Sequence, residues 1–383
     1  MEKLRSTVKD IFKKGDMILL ALCVVTSIFG IVMVYAATST GDNSRYIIIQ
    51  TGCLIAGILL YLAITALDVE ILAGQRTILF IFNALFILML LIWGIEGDTG
   101  NKSWLKFPFL PFNIQPAEVC KIFYIIILAK TMSVNQTRIN SVRSVGSLVF
   151  HMLFIVGLII VISGDTGVAL IFVFIFIAMA YVGGVSGWWF LAGAGAVALA
   201  APTLWRYGLK DYQKNRILAL IDPSIDPTGL DELWHTNQNL KTLRNGGFTG
   251  MGLFNGSMTN SGALPARHTD SIFCTIGEQL GLLGSILTLL LLLAIVARII
   301  YVGMKSPDYM NRLICVGIAA MLLFQILINI GVCLGLIPVI GLVLPFISYG
   351  GSSMLTTFMA MGFVSGIKMR PSRDTSAHYI RPY

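Results

Sequence analysis

Ten long apolar segments, joined by mostly short polar loops, constrain this sequence more than any other feature. Each segment is long enough for an α-helix to cross the hydrocarbon core of a bilayer, which takes about 20 residues. The chain is 56% hydrophobic and 12% charged, which is more apolar surface than a soluble domain of this length can bury. We therefore predict an all-α polytopic membrane protein in which ten transmembrane helices form one bundle. The predicted spans are residues 17–37, 46–67, 77–95, 116–133, 144–163, 166–184, 187–205, 271–303, 312–336 and 350–369.

A further apolar stretch, residues 338–348, is too short to span a membrane. It contains Pro338, Gly341 and Pro345, and both residue types interrupt helices. Non-helical backbone is tolerated at membrane depth only where protein or water covers it. The stretch is therefore predicted to be a re-entrant or wall-lining loop.

Lysine and arginine are distributed unevenly between the two sets of loops. With both termini on one side, that side collects 16 of them, against 10 on the other. Seven of the 10 lie in residues 206–270, a loop too long for its charges to count in the positive-inside rule. The bias predicts that both termini are cytoplasmic and that residues 206–270 face outward. It also explains the net charge of +8, which is therefore no indication of nucleic-acid binding.

The sequence indicates one membrane domain comprising residues 1–383, with no second soluble domain. Residues 1–15 and 370–383 are its predicted cytoplasmic ends, and 206–270 is its large outer loop between the seventh and eighth spans. All six cysteines fall inside predicted spans without a CxxC motif or a Cys/His cluster. Neither a disulfide framework nor a zinc site is indicated.

The motif QPAEVCK, which begins at Gln115, places charged side chains at the outer end of the fourth span. Pro116 suits the first turn of a helix, and Glu118 and Lys121 lie three residues apart on one face, where they can form an ion pair. The pair is either a structural lock or, since ions inside a membrane are usually functional, a means for Lys121 to neutralise an anionic ligand. Trp104, in the loop before the motif, fits an interfacial anchor.

Two helix starts on the predicted outer side carry polar residues. In the turn between the fifth and sixth spans, Asp165 is a candidate for chemistry, although capping of the sixth span also explains it. At the tenth span, Gly350 and Gly351 precede Ser352 and expose backbone N–H groups. Helix N-termini attract anions, phosphates included, but an ordinary helix break also fits this pattern.

The run PARHTDSIFCTIGEQLG ends the outer loop and enters the eighth span. Asp270 is its last ionisable group before the membrane, and capping of the helix by Thr269 or Asp270 is one explanation for it. Against simple capping, Arg267 and His268 crowd the same turn, and Glu278 adds a carboxylate about two turns deeper. Three glycines would admit a neighbouring helix there, so that Glu278 faces protein: Gly277, Gly281 and Gly284.

Three runs of residues, QPAEVCK, PARHTDSIFCTIGEQLG and NIGVCLGLIPVIGLVLPFISYGGSS, resemble the SEDS family, typified by RodA and FtsW. The ten-span topology and the large outer loop match this family too, and the resemblance covers essentially the whole chain. It implies a peptidoglycan glycosyltransferase of the bacterial cytoplasmic membrane. Such enzymes polymerise lipid II, a disaccharide-pentapeptide on undecaprenyl diphosphate, and work with a class B penicillin-binding protein. No nucleic-acid partner is implied.

The resemblance also implies roles for particular residues. The family's essential outer-loop aspartate falls on Asp270, its conserved lysine on Lys121 and its tryptophan after the third span on Trp104. We assign catalysis to Asp270. The candidate substrate-binding residues are Lys121, Glu118, Trp104, Gln115, Arg267, His268, Gln238 and Ser352. The candidate supporting residues are Asp165, Glu278, Gly350 and Gly351.

The sequence departs from the family pattern in two loops. A Gln-Ser-Leu run of the family is here Gln238-Asn239-Leu240, and a glycine-like position nearby is Arg244. Between the fifth and sixth spans, a Gln/Pro-Asp-Leu-Gly pattern becomes Gly-Asp-Thr-Gly around Asp165. These departures concern loop details more than the class of reaction.

The implied reaction needs a base for the acceptor hydroxyl and a counter-charge for the departing diphosphate. We expect Asp270 to be the general base. A helix N-terminus and Arg267 would keep it ionised but weakly basic, so it would take the proton late, as the glycosidic bond forms. Lys121, with Arg267 or a divalent cation such as Mg²⁺ or Mn²⁺, would balance the diphosphate. Attack opposite an α-linked diphosphate would give a β-linkage with inversion.

Two other classes of function fit part of the pattern. A lipid-linked precursor flippase would also be a many-helix bundle with intramembrane charges and a broken segment. However, Asp165, Lys121 and Asp270 all lie towards the predicted outer side, whereas transporters usually bind their substrates near the bilayer midplane. A non-catalytic scaffold for the division or elongation machinery would need no carboxylate at residue 270.

Overall fold

The structure, a computed structural model, describes residues 10–39, 44–96, 101–108, 110–208 and 211–370. Most of the two predicted cytoplasmic ends, residues 1–9 and 371–383, therefore lies outside the described residues. The described chain is mainly helical and includes a two-stranded β-hairpin. Its long helices form the bundle that positions every polar group discussed below.

In chain order, the helices are α1 (Met17–Thr38), α2 (Ser44–Ala66), α3 (Val69–Gly74), α4 (Arg76–Trp93), α5 (Pro116–Val134), α6 (Val142–Leu158), α7 (Thr166–Val182), α8 (Gly187–Thr203), α9 (Asp211–Ile221), α10 (Trp234–Gly246), α11 (Ser257–Asn260), α12 (Ile272–Lys305), α13 (Tyr309–Cys333) and α14 (Gly351–Met369). Strands β1 (Gly94–Glu96) and β2 (Lys102–Leu105) pair antiparallel between α4 and α5. A π-helical turn, Ile159–Ser163, extends α6.

Each of the ten predicted spans coincides with a helix to within a few residues. Six of the described helices are long and apolar enough to cross a membrane: α1, α2, α4, α6 with its π-helical turn, α12 and α13. The others are shorter or more polar. α7 and α8 have 17 residues each, and α5 carries Glu118, Lys121 and Lys130. The polytopic helical membrane fold is confirmed, whereas the count of ten crossings stays a prediction.

Helix α14 packs along α2 at small residues. A Cβ at Gly57 would lie 2.7 Å from the Phe358 ring, and one at Gly362 would lie 2.8 Å from Ile64. Small residues let membrane helices approach closely. The van der Waals packing that results stabilises the helix pair, because the hydrophobic effect does not drive helices together within lipid. The α2–α14 contact therefore depends on glycine at residues 57 and 362.

Residues 338–348 are non-helical, as predicted. Leu342 and residues 344–348 are buried, while residues 338–340 and Val343 are partly exposed, and side chains hydrogen-bond the backbone of the segment. The Asn329 amide donates to the Leu342 carbonyl oxygen at 2.7 Å, and the Ser348 hydroxyl accepts from the Leu344 N–H at 2.8 Å. Protein covers most of residues 342–348, which is the condition for irregular backbone at membrane depth.

Helix α12 is interrupted at Gly281, whose φ is 65° and ψ −159°. The outer loop lies against this break. Met251 N–H donates to the Glu278 carbonyl oxygen at 2.9 Å, and Leu282 N–H donates to the Gly247 carbonyl oxygen at 3.0 Å. The loop thereby satisfies backbone groups that the break leaves without helical partners.

The three glycines predicted to admit a neighbouring helix behave differently. At Gly277, the prediction is confirmed, because the end of α10 lies so close that a Cβ at Gly246 would overlap the Gly277 backbone. At Gly281, the neighbour is the outer-loop backbone rather than a helix. At Gly284, which is buried, the nearest atoms to an added Cβ belong to Leu280 of the same helix, and the approach of a neighbouring helix stays a prediction.

A buried ion cluster ties three helices together at the end of the bundle where α1 begins. Asp16 is fully buried and accepts two hydrogen bonds from the Arg298 guanidinium, at 2.8 and 3.0 Å. The Lys368 ammonium lies 3.4 Å from the same carboxylate. Asp16 also accepts from Leu19 N–H, as the N-cap of α1. The sequence analysis did not single out this cluster.

Candidate active site

Asp270 lies in a turn held between α13 and the broken segment. Asn329, on α13, donates to the Asp270 carbonyl oxygen at 2.8 Å. From the broken segment, the Ser348 hydroxyl donates to the Thr269 carbonyl oxygen at 2.7 Å, and Tyr349 N–H donates to that of His268 at 2.8 Å. Three consecutive carbonyl groups are thus fixed, so that the backbone before α12 has a defined position.

The structure does not support helix capping as the role of Asp270 or Thr269. The N-cap of α12 is Ser271, which makes no side-chain capping hydrogen bond. The Thr269 hydroxyl instead donates to the Ala266 carbonyl oxygen at 3.3 Å. Neither residue is therefore the N-cap of α12, which begins at Ile272, one residue later than predicted.

The Asp270 carboxylate faces Gly341 of the broken segment. An added Cβ at Gly341 would lie 3.5 Å from a carboxylate oxygen of Asp270, and the φ of Gly341 is +76°. The preceding residue, Ile340, packs closely on Gly167 of α7. A Cβ added at Gly167 would overlap the Ile340 side chain and would lie 3.5 Å from a carboxylate oxygen of Asp165. Asp165, through Gly167, and Asp270 therefore both lie near residues 340–341.

Asp165 is the centre of a polar cluster between α5, α7 and β2. One of its oxygens accepts from Val168 N–H at 3.0 Å, so that it caps α7 as predicted. The other accepts from the Gln115 amide and the Ser103 hydroxyl, each at 3.4 Å. The Ser103 hydroxyl also lies 2.6 Å from that of Ser163. Helix capping therefore explains the contact of only one of the two carboxylate oxygens of Asp165.

Burial raises the pKa of Asp165 above its ordinary value, and the nearby charge of Glu118 raises it further. The hydrogen bonds from Val168 N–H and Ser103 oppose this shift. A carboxyl group in such an environment exchanges its proton closer to neutral pH than an exposed aspartate. Asp165 is therefore suited to hold or share a proton as well as to cap a helix.

Glu118 and Lys121 form the predicted ion pair, with 2.7 Å between Lys121 Nζ and Glu118 Oε1. The Thr356 hydroxyl donates to the other oxygen of Glu118 at 3.2 Å. Lys121 is 1% exposed, so its ammonium group contacts Glu118 rather than solvent. The structure favours the structural lock, and a direct contact between Lys121 and an anionic ligand stays a prediction.

Gln115 and Ser352 join the ends of α5 and α14. The Ser352 hydroxyl accepts from Gln115 N–H at 3.2 Å. Gly350 N–H donates to the Gln50 side-chain oxygen at 3.3 Å, and α14 begins at Gly351 without a side-chain cap. Anion binding at this helix start stays a prediction.

Trp104 and Ser103 are neighbours on β2 and therefore point to opposite faces of the hairpin. Ser103 contributes to the Asp165 cluster, whereas Trp104 pairs with Ile95 in the hairpin and is partly exposed. The sequence analysis named the tryptophan and missed the serine. A lone serine in a polar loop carries no signal that distinguishes it.

His268 lies within a group of aromatic rings. Its ring centroid is 4.9 Å from that of Tyr46 and 5.8 Å from that of Tyr349. Arg267, predicted to act near Asp270, donates to the Thr259 carbonyl oxygen at 2.6 Å. These contacts give the turn before Asp270 two further attachments to the rest of the protein.

Glu278 is fully buried and has a structural role in the outer loop. Its carboxylate accepts from Met258 N–H at 2.8 Å, from Thr259 N–H at 3.0 Å and from the Thr259 hydroxyl at 2.6 Å. The Ser257 hydroxyl donates to it at 3.3 Å. It therefore faces protein, as expected, and holds the short helix α11 against α12.

Gln238 and Asn239, at one departure from the SEDS pattern, lie on α10. Within the described part of the chain, Gln238 Oε1 and Asn239 Oδ1 are buried without a hydrogen-bond partner. Buried polar atoms without partners are rare. Neither residue contacts the Asp165 cluster through a hydrogen bond that the structure records.

The donor set for a divalent cation is poor. Among the described residues, His, Cys, Asp and Glu side chains form no group of three or more that could hold a metal ion. The described residues therefore do not provide a protein site of this kind for Mg²⁺ or Mn²⁺.

Comparison with known proteins identifies relatives over nearly the full chain. The model of the FtsW/RodA/SpoVE family, described as cell cycle protein, matches residues 16–373. A probable peptidoglycan glycosyltransferase FtsW of Trichlorobacter lovleyi is 32% identical over 369 residues, which cover 93% of this chain and 94% of that protein. The peptidoglycan glycosyltransferase MrdB of Escherichia coli K12 is 27% identical over 353 residues, covering 92% and 91%.

Solved structures share the fold. A structure of a peptidoglycan synthase complex, described as coordinating polymerization and crosslinking, contains a chain with a TM-score of 0.79 and 30% identity, covering 94% of this chain and 99% of that one. The rod shape determining protein RodA of Thermus thermophilus has a TM-score of 0.69 and 26% identity, covering 94% and 98%.

Proposed function

The chain belongs to the FtsW/RodA/SpoVE family, and from this premise we propose that it is a peptidoglycan glycosyltransferase. Its substrate is lipid II, which it polymerises into glycan strands on the outer face of the bacterial cytoplasmic membrane. The observation that carries the proposal within the molecule is the position of Asp270, whose carboxylate lies beside Gly341, next to the residue that packs on Gly167 near Asp165. This arrangement brings two carboxylates to one end of a membrane bundle.

The proposed topology has ten crossings, with both termini in the cytoplasm. It is supported by a helix at each predicted span and by the excess of lysine and arginine on one side. In this topology, Asp165 and Asp270 lie at the outer end of the bundle. The ion cluster of Asp16, Arg298 and Lys368 lies at the cytoplasmic end.

Asp270 is the general base of the proposed reaction. The acceptor sugar hydroxyl loses its proton to the Asp270 carboxylate as its oxygen bonds to the anomeric carbon of the donor. The bond from that carbon to the diphosphate oxygen breaks at the same time, and undecaprenyl diphosphate leaves with the electron pair. Attack from the face opposite an α-linked diphosphate gives a β-linkage.

The site shapes this step by fixing the base. Hydrogen bonds from Asn329 and Ser348 hold the carbonyl groups on and before Asp270. Positioning of this kind lowers the entropic part of a barrier. A glycine at residue 341 leaves room beside the carboxylate for the acceptor hydroxyl.

The diphosphate needs positive potential close to the Asp165 cluster. The start of α14 at Gly351 points backbone N–H groups outward from a helix, which favours anions. Lys121 is neutralised by its buried pair with Glu118 in this structure, and it adds positive potential for the diphosphate only if Glu118 takes up another partner. Gln115 and Ser352 join the two helices at this position.

A class B penicillin-binding protein is the proposed partner, because polymerised strands have to be crosslinked. The similarity to a chain of a peptidoglycan synthase complex supports it. The partner supplies transpeptidation, while this chain supplies the glycosidic bonds.

Purified protein given lipid II in detergent tests the proposal, because no membrane is present to be crossed. A polymerase converts lipid II to glycan strands that separate by length on a gel and disappear on muramidase digestion. A lipid II transporter binds the substrate and leaves it unchanged. Unchanged lipid II in the presence of a crosslinking partner would contradict the proposal.

A further inference from the structure

A polar cavity of about 680 Å³ lies at the end of the bundle opposite Asp270. It opens between the start of α4, the end of α5 and the start of α6. The other ends of these three helices lead to the β-hairpin and the Asp165 turn, so the cavity is separated from the candidate active site by the length of a helix. Nothing in the proposed reaction uses it.

Three arginines, Arg76, Arg138 and Arg143, line this cavity, and no acidic side chain lines it. Within the described residues, none of the three forms an ion pair. Uncompensated charge of one sign around a concave surface concentrates ions of the opposite sign. The cavity is therefore suited to an anion.

The start of α6 adds a second feature that points to a ligand. Ser141 caps the helix by accepting from Ser144 N–H at 3.3 Å. Ser144 also lines the cavity and is 3% exposed, and in the described part of the chain its own hydroxyl has no hydrogen-bond partner. A buried hydroxyl without a partner is costly. An anion at this helix start would supply the missing acceptor and meet the positive end of the helix dipole.

One wall of the cavity is aromatic and leads to the surface that faces lipid. Phe80 lines the cavity, and its ring centroid is 4.9 Å from that of Phe154 and 6.4 Å from that of Phe150. Phe150 is 56% exposed on a membrane-length helix. An anionic group bound here has apolar surface directly beside it, which suits a phospholipid better than a water-soluble anion.

We propose that this cavity binds the phosphate headgroup of an anionic phospholipid, with the acyl chains against the aromatic wall. The three arginines supply positive charge, Ser144 donates to a phosphate oxygen, and the α6 N-terminus adds its dipole. Basic pockets between membrane helices on the cytoplasmic side bind anionic headgroups by these means. The inference is independent of the catalytic proposal.

Native mass spectrometry of the full chain in detergent tests this site. The protein is titrated with phosphatidylglycerol or with phosphatidylcholine of the same acyl chains. We expect one phosphatidylglycerol to be retained at a lipid concentration about tenfold below that for phosphatidylcholine. Equal retention of the two lipids would overturn the proposal.

Two matched triple variants separate the cavity from general surface charge. R76Q/R138Q/R143Q removes the cavity charges, while K13Q/K305Q/R312Q removes three exposed charges at the same end of the bundle. We expect only the first to lose the phosphatidylglycerol preference. Equal loss in both, or loss in neither, would contradict a specific site.

A charge-neutral variant and a soluble competitor complete the test. Ser144→Ala removes a hydroxyl that has no partner among the described residues, so folding is preserved and phosphatidylglycerol retention falls by about tenfold, the value of one hydrogen bond to a charged group. Millimolar inorganic phosphate should leave the lipid bound. Unchanged retention in Ser144→Ala, or displacement of the lipid by phosphate, would overturn the lipid assignment.

Discussion

At the scale of single residues, Asp270 and Glu278 show how two carboxylates eight residues apart acquire different roles. Glu278 is fully buried, and donors from residues 257–259 occupy both of its oxygens. Asp270 is only partly buried, and one of its oxygens faces the open side of Gly341. Burial and the four hydrogen bonds to its carboxylate therefore assign Glu278 to structure, whereas Asp270 is less deeply buried.

Glu278→Gln should loosen the outer loop. The amide nitrogen would face backbone N–H donors that now meet a carboxylate, at a cost of about 2–3 kcal/mol. We expect a lower thermal midpoint and faster hydrogen exchange in residues 250–262. The matched change Glu232→Gln removes a partly exposed pair with Arg216, worth about 0–1 kcal/mol. Equal exchange rates in the two variants would show that Glu278 does not anchor the loop.

The residues that mattered could be predicted from the sequence only where a charge or a motif marked them. Glu118, Lys121 and Asp165 are charged residues at predicted helix starts, and their ion pair and cap were predicted. Ser103 and Asn329 were missed, because a lone polar residue fits many structural roles. Their partners lie about 60 residues away along the chain, and only the fold brings them together.

At the scale of helices and loops, the break in α12 determines where the outer loop docks. The sequence predicts a span at residues 271–303 that contains three glycines. It does not indicate which of these glycines leaves the helical conformation. That choice depends on the loop backbone at Gly250. A Cβ added at Gly281 would overlap this backbone. A contact with a distant segment has no signature in the local pattern.

Gly281→Ala should therefore undock the loop. An alanine would adopt a positive φ and collide with loop backbone, at a cost of more than about 2 kcal/mol. We expect faster proteolysis within residues 246–262 and a loss of polymerase activity. Gly146→Ala, on α6 with open space around it, is the control and should be neutral or stabilising by up to about 1 kcal/mol. If the two variants were equally resistant to protease, the break would not hold the loop.

Asp16→Asn should weaken the contact between α1, α12 and α14. The change leaves the Arg298 guanidinium without its carboxylate, and removing one partner of a buried pair costs about 3–5 kcal/mol. We expect a lower thermal midpoint in detergent. The double variant Asp16→Asn/Arg298→Gln should lose less than the sum of the two single variants. Additive losses would show that the two side chains do not act as a pair.

At the scale of the whole molecule, the proposed orientation can be measured directly, because all six native cysteines are buried. Single cysteines are introduced at exposed positions, Ser224→Cys in the outer loop and Lys305→Cys at the end of α12. A membrane-impermeant thiol reagent added to spheroplasts should label only the first. Labelling of Lys305→Cys without permeabilisation would contradict the predicted topology.

The distribution of polar groups gives this membrane bundle two chemically different ends. Asp165 and Asp270 lie at one end, and the Asp16 cluster and the arginine-lined cavity lie at the other. Hydropathy was sufficient to predict the helices, whereas the side that charge bias assigns to each loop stays a prediction. The pairing of residues 340–341 with both carboxylates was not predictable, since it depends on the path of a segment without regular structure.

The most direct test of the account compares Asp270→Asn with Asp231→Asn in lipid II polymerisation by purified protein. The two changes are chemically identical and both lie in the outer segment, but Asp231 is exposed and distant from the candidate site in sequence. We expect Asp270→Asn to fold normally and to lower the rate of glycan synthesis by at least about 100-fold, the contribution of a general base. Asp231→Asn should retain the wild-type rate. Glycan strands formed by Asp270→Asn at the rate of Asp231→Asn would contradict the assignment of Asp270 as the catalytic base.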